Sequence, residues 1–380
     1  MRIFFWGTYT IAEGYPVNRV LIKGLRQAGA QVEECREELW EGFLHQAFGR
    51  KKPGTYLKLG WRALRLYLRL LRRFSCSRKC QYIIVGYAGY LDIVLARLLN
   101  FWRRRPLILV AFISLYDTIV VDRQQLAAAS WQAACLKKID RLAFSCADIV
   151  LVDTREQIDY LAALFALPRE KFRRSFVGED DELFHPAVSD RGHSGVLRVL
   201  FFGTYVPLHG IESILDAAEI LRPDTGVEFT LIGNGQLYPQ MRSVAAQKGL
   251  NHVRFIDEWM SSAALVEQIR AADVCLGIFG VTTKAARVIP YKVFDALALR
   301  KPVITRDSPA ARELLEHGKS ALLCAPGNGA ELAGSIRSLQ QDPQLLEKLA
   351  ARGYARFQEF GSPRAIGRAL LHTMEGRFGA

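Results

Sequence analysis

The chain opens twice. Residues 2–10 read RIFFWGTYT and residues 198–206 read RVLFFGTYV, each a hydrophobic run that ends in Gly-Thr-Tyr. A loop and a segment with apolar residues at helical spacing follow both times: VNRVLIKGLRQAG in the first half, GIESILDAAEIL in the second. A strand that ends at glycine and turns into a helix is how an open doubly wound sheet begins, so the repeat predicts two such domains. The alternation continues in both halves. QYIIVGY, PLILVAFIS and ADIVLVDT read as strands of the first domain, and VEFTLIGNG, VRFIDE, DVCLGIF and KPVIT as strands of the second. Such unbroken hydrophobic strands, separated by helices, belong to parallel sheets covered on both faces. The expected fold class is α/β, with Rossmann-like domains at 1–185 and 196–380 facing across a cleft and a last helix packing back on the first domain. The stretch GEDDELFHPAVSDRGHSG at 178–195 reads as the linker, and its EDDE (179–182) as a solvated turn.

Several classes of protein are set aside by composition. Half of the residues are hydrophobic, which excludes a disordered chain. The best candidate span, YIIVGYAGYLDIVLARLL, is broken by two glycines and Asp92. The N-terminus runs straight into a strand without the apolar core of a signal peptide. Seven cysteines without a C-x-x-C pair or a Cys/His cluster point to reduced thiols and no zinc. Neither half has a DxD motif, and a metal is not expected. The expected location is cytoplasmic.

Residues 287–305, RVIPYKVFDALALRKPVIT, place a proline-started helix directly before a strand. Free N–H groups and the positive end of the dipole make such a helix start an anion site. Lys284, Arg287, Pro290 and Lys292 gather there, so a phosphate group is the expected guest.

With these motifs in place, the second half resembles the C-terminal domain of the retaining glycosyltransferases of family 4 (glycosyl transferases group 1), which have the GT-B fold. The resemblance rests, in order, on FFGTYVPLHGIESIL, LIGNGQ, VRFIDEWMSSAALVEQIRAADVCLGIF, IPYKVFDALALRKPVIT and LLEHGKSALL, covering most of residues 198–330. In the first half, GTYTIAEGYPVNRVLIKGLRQAGAQVEE looks like the family's glycine loop and first helix, with Gly14, Tyr15 and Arg19 on the acceptor side. The resemblance implies transfer of a sugar from a nucleotide-diphosphate sugar to an acceptor, with retention and without a metal or other cofactor. It implies a donor site at Gly203, at the glycine turn of Gly233 and Gly235, and at the 284–295 segment. The family's diphosphate-binding Arg and Lys fall on Thr204 and His209, two departures. In its paired-glutamate motif the ribose-binding member aligns with Asp295, whereas the sugar-contacting member falls on Arg287. Lys284, Arg287 and Lys292 are read as substitutes for the missing cations. In the first domain the family often carries a His after the third long strand; SLYDT stands there, which makes Asp117 the catalytic candidate.

The net charge of +13 is uneven, with residues 1–190 carrying +9 and residues 50–79 holding eleven basic side chains and no acidic one. Within TYLKLGWRALRLYLRLLRRF (55–74), Lys58, Arg62, Arg65, Arg69, Arg72 and Arg73 share one stripe about 100° wide beside a broad apolar face containing Trp61. That pattern suits an interfacial helix on an anionic membrane. No nucleic-acid-binding motif accompanies it. The combined expectation is a cytoplasmic, membrane-peripheral glycosyltransferase with a lipid-linked or glycan acceptor. The alternatives are a lapsed binding subunit of the same fold and a sugar-nucleotide epimerase.

Overall fold

The computed structural model describes residues 1–38, 53–74, 79–187 and 195–379, with side chains in the long basic helix from residue 60 onward; Lys58 thus lies outside the described side chains. The first domain runs β1 (Arg2–Gly7), α1 (Pro16–Gln27), β2 (Gln31–Arg36), α2 (Pro53–Phe74), β3 (Tyr82–Val85), α3 (Tyr90–Leu99), β4 (Leu107–Val110), α4 (Trp131–Cys146), β5 (Ile149–Val152), α5 (Arg155–Phe165) and β6 (Phe172–Arg174). The second runs β7 (Leu197–Phe202), α6 (Ile211–Ile220), β8 (Val227–Ile232), α7 (Tyr238–Gln247), β9 (Val253–Ile256), α8 (Ser262–Ala271), β10 (Val274–Leu276), α9 (Thr283–Arg287), α10 (Tyr291–Ala298), β11 (Val303–Arg306), α11 (Pro309–Arg312), β12 (Leu322–Cys324), α12 (Gly329–Gln341), α13 (Pro343–Arg356) and α14 (Pro363–Phe378).

Each domain is built on a six-stranded parallel sheet, ordered β2-β1-β3-β4-β5-β6 and β12-β11-β10-β7-β8-β9. Both orders are doubly wound, so the chain reverses direction beside β1 in one sheet and beside β7 in the other. The strands that read as hydrophobic runs are buried along their whole length, as in YIIV of β3 and IVLV of β5. β6 and β12 are three residues each and carry no periodic signal of their own; neighbouring strands recruit them.

The domains are tied at the back by α14, which lies on α1. Gly24 and Gly367 make this contact possible, because a Cβ on Gly367 would sit 2.0 Å from the Gly24 carbonyl oxygen. The crossover chain corrects one expectation. Glu179 and Asp180, read as a solvated turn, are buried. Arg19 reaches Glu179 at 3.5 Å and Asp180 at 3.0 Å, and Lys23 reaches Asp180 at 2.6 Å. The acids are drawn inward because α1 presents two cations to them.

Candidate functional site

At the end of the first strand of each sheet stands a glycine with a positive φ, Gly7 at 133° and Gly203 at 140°. A side chain from a following helix fills the space where each glycine lacks a Cβ. In the first domain it is Asp92, whose Oδ2 lies 2.5 Å from the position of a Gly7 Cβ. That carboxylate is fully used: it accepts from the Thr8 amide at 2.6 Å, the Thr8 hydroxyl at 3.0 Å and the Tyr67 hydroxyl at 2.8 Å. In the second domain it is Lys292, whose Nζ lies 2.7 Å from the position of a Gly203 Cβ. The ammonium sits over the Phe201 ring at 3.9 Å and has no hydrogen-bond partner. Desolvation holds its pKa well below the usual lysine value. A buried polar group without a partner is costly, and an arriving anion would satisfy this one.

His209 stands beside it. Its Nδ1 meets the Thr204 carbonyl, which can only accept, so Nδ1 carries the proton and the neutral ring keeps its lone pair on Nε2. Burial and the neighbouring Lys292 keep the imidazole neutral, well below its ordinary pKa. Thr204 itself is exposed. Gly233, at φ 128°, would place a Cβ 2.1 Å from the Gly203 carbonyl oxygen, and Gly235 would crowd the Tyr205 backbone at 2.7 Å. The two glycine turns therefore form one floor next to Lys292, at the point where the strand order reverses, the position at which open α/β sheets bind ligands. Pro290 caps α10 rather than opening it, and the buried run Lys292–Ala298 leaves that helix no exposed face.

Asp295 is buried against Glu179, and the two carboxyls are hydrogen-bonded to one another. One proton must be shared. Burial and the Glu179 charge raise Asp295 well above the carboxylate range, and burial raises Glu179 as well, against the opposing pull of Arg19. The resemblance pointed to Asp295, but Glu179 carried no signal, because its partner is far away in sequence.

Lys284 and Arg287 are engaged across the cleft. Arg287 donates to Asp117 at 2.8 Å and to the Gln157 side chain at 3.2 Å, and it stacks on the Tyr160 ring at 3.5 Å. Lys284 donates to the Thr118 hydroxyl at 2.7 Å and lies 3.5 Å from Asp117. The three residues singled out separately in the sequence thus meet, as an ion-paired seam between the domains. Asp117 is held in place by Ser114, whose hydroxyl accepts from its amide and donates to Asp140 at 2.6 Å. Asp153 also faces the seam; burial pushes it up to about 7. In the acceptor-side loop Gly14 turns at φ 81°, Tyr15 is half-buried, Arg19 is taken by Glu179 and Asp180, and Glu13 accepts from the Ser262 amide of the second domain at 2.9 Å. Among the described residues no three His, Cys, Asp or Glu side chains stand where they could share a metal ion.

Two doubly wound domains closed over such a cleft define the GT-B architecture. The Anabaena HepE protein in complex with UDP matches over 99% of both chains at 18% identity, with a TM-score of 0.69. Sucrose-phosphate synthase from Thermosynechococcus elongatus matches over 99% of both chains at 17% identity, with a TM-score of 0.71. Residues 197–342, most of the second domain, match the family model of glycosyl transferases group 1. Among curated relatives, alpha-D-kanosaminyltransferase from Streptomyces kanamyceticus is 23% identical over 63% of this chain and 61% of its own length. Phosphatidyl-myo-inositol mannosyltransferase from Mycobacterium leprae is 30% identical over 41% of this chain and 40% of its own. The chain spans less than two thirds of either.

Proposed function

We propose that this chain is a retaining glycosyltransferase that binds a nucleotide-diphosphate sugar in the cleft, with the diphosphate against Lys292 and the Gly203–Gly233 floor. The observation that carries the reading is the contrast between Asp92 and Lys292. At matching positions of the two domains one charge has three hydrogen-bond partners and the other has none. The charge without a partner sits in the domain that matches the glycosyltransferase family model.

In the reaction the bond from the sugar C1 to the diphosphate oxygen breaks and a bond from C1 to the acceptor oxygen forms. The acceptor proton ends on the departing phosphate. Negative charge grows on that phosphate, where the fixed ammonium of Lys292 stabilises it. A cation already supplied by the protein makes a metal unnecessary. The Asp117–Arg287 seam reverses the usual arrangement of the resemblance: the acid now comes from the first domain and the cation from the second. It positions the domains rather than taking a proton. The acceptor is lipid-linked or a cell-envelope glycan, met at the cytoplasmic face of a membrane, a reading supported by the exposed basic helix α2. Among the described residues no helix is long and apolar enough to cross a membrane.

Calorimetric titration with UDP and other nucleoside diphosphates tests the donor site, and the expected result is binding without added metal. Binding without any turnover of a nucleotide sugar would identify a lapsed binding subunit instead. A donor that binds equally well after Lys292→Met would remove the site proposed here.

A further inference from the structure

Helices α2, α3 and α4 lie on one face of the first sheet. Their inner sides enter a single core through Leu70 and Phe74, Ile93 and Ala96, and Ala143 and Phe144. Tyr67 of α2 donates to Asp92 of α3, and α3 packs along α4. The three outer sides therefore form one surface.

That surface is unusually apolar for something facing water. α2 exposes Trp61, Leu64 and Leu68, spaced so that they share one side of the helix. α3 exposes Leu91 and Leu98, two turns apart, and α4 exposes Trp131 and Leu142. Where α3 ends, Phe101 and Trp102 project together, their rings T-shaped at 5.5 Å, with Trp102 89% exposed. Scattered exposed leucines need no explanation, but a contiguous apolar face marks an interaction site.

Its charge is equally one-sided. The only carboxylates on the three helices are Asp92 and Asp140, and both are buried. The exposed cations come from all three regions: the arginines of α2, Arg103 and Arg104 beside Trp102, and Lys137, Lys138 and Arg141 of α4. Among the described residues Glu37, at the edge of α2, tempers this, standing 3.8 Å from Arg69 and 3.7 Å from Arg73. A second copy of the same face would meet like charge. Nucleic acid would use the cations but leave the leucines uncovered.

We propose that the outer surface of α2, α3 and α4, with the Phe101–Trp102 corner, is one continuous docking face for an anionic lipid bilayer. Tryptophan and leucine enter the interface while arginine and lysine meet the headgroups. This extends the membrane reading above from one helix to a three-helix platform. α3 starts just beyond the cleft-side end of β3, so the docked face reaches the cleft rim, where a lipid-borne acceptor would enter.

Two variants of the full chain leave α2 untouched: Lys137→Glu/Lys138→Glu/Arg141→Glu on α4, and Phe101→Ser/Trp102→Ser at the corner. Flotation with vesicles of phosphatidylcholine alone or mixed with phosphatidylglycerol reads the binding. Since each of the three cations near such a surface contributes about 1 kcal/mol, the α4 variant should lose roughly a hundredfold of its partition into the anionic vesicles. The corner variant should lose binding and the vesicle-induced blue shift of tryptophan fluorescence. UDP affinity, which reports the other domain, should be unchanged in both. Parent-like partition of both variants would confine docking to α2 and overturn the proposal, as would a parent protein that ignores anionic vesicles or binds only oligonucleotides. A self-association abolished by the corner variant would also overturn it. Loss of UDP binding with retained flotation would refute the donor site alone.

Discussion

Asp117 and Arg287, 170 positions apart, meet across the cleft with a carboxylate oxygen 2.8 Å from a guanidinium nitrogen. Both side chains are almost fully buried, and Arg287 is further held by the Gln157 side chain, the Tyr160 ring and the Thr154 hydroxyl, which donates to its carbonyl. The pair ties the second domain to the first. It also decides which cation is left for a ligand, because Lys284 is drawn to the same carboxylate and Lys292 is not.

Removing one member of a buried ion pair leaves an uncompensated charge and costs about 3–5 kcal/mol. Arg287→Ala should fall near 3 kcal/mol, since Lys284 still faces Asp117. Urea unfolding of Arg287→Ala, Asp117→Ala and the double variant should show strong non-additivity. Strictly additive losses would mean that the two side chains do not interact in solution.

Lys292→Met keeps the stem and removes the charge. A hydrogen bond to a charged group contributes about 1.5–3 kcal/mol, so nucleoside diphosphate affinity should drop roughly tenfold to a hundredfold. The variant should also be more stable without ligand, because a buried amine that lacks a hydrogen-bond partner is gone. Calorimetry and thermal melting read the two effects separately.

Protons should follow the ligand. Lys292 and His209 both have depressed pKa values in the free protein, and an arriving diphosphate favours their charged forms. Binding should therefore take up protons, and affinity should weaken as pH rises. Titrations in buffers of different ionisation heat measure the uptake. A net uptake of zero would count against a diphosphate at this position.

Asp153 predicts a pH effect on stability. Burial raises it from 3.8 to about 7 in the folded protein, so the folded state holds a proton that the unfolded chain releases earlier. Its contribution is fully present below the unfolded pKa, declines as pH rises and is lost once pH passes about 7. Asp153→Asn should flatten the fall in melting temperature between pH 5 and pH 8. An unchanged slope would falsify the assignment.

Gly203→Ala is predicted to weaken nucleotide binding more than it weakens the fold. The new Cβ would press on the Lys292 ammonium, the far end of a flexible side chain, and displace it from the glycine floor. Circular dichroism should remain close to the parent while UDP affinity falls.

The two sheets, the strand-to-glycine openings at Gly7 and Gly203, and the amphipathic helix at 55–74 were legible in the order of residues. These are local, since a strand or helix shows its period within a dozen residues. The resemblance also led to His209 and Asp295, and the cations gathered at the proline-started helix led to Lys292. How those groups are charged and partnered came from the folded arrangement alone. Lys284, Arg287 and Lys292 are alike in sequence, yet two of them face Asp117 and one lies over the Phe201 ring without a hydrogen-bond partner. Glu179 read as solvent-facing until Arg19 and Asp295 were brought against it. The extent of the basic apolar face was hidden for the same reason, because its three helices are separated in the chain and only sheet order places them side by side. Burial and pairing depend on contacts between distant segments, and no local period records which segments will meet.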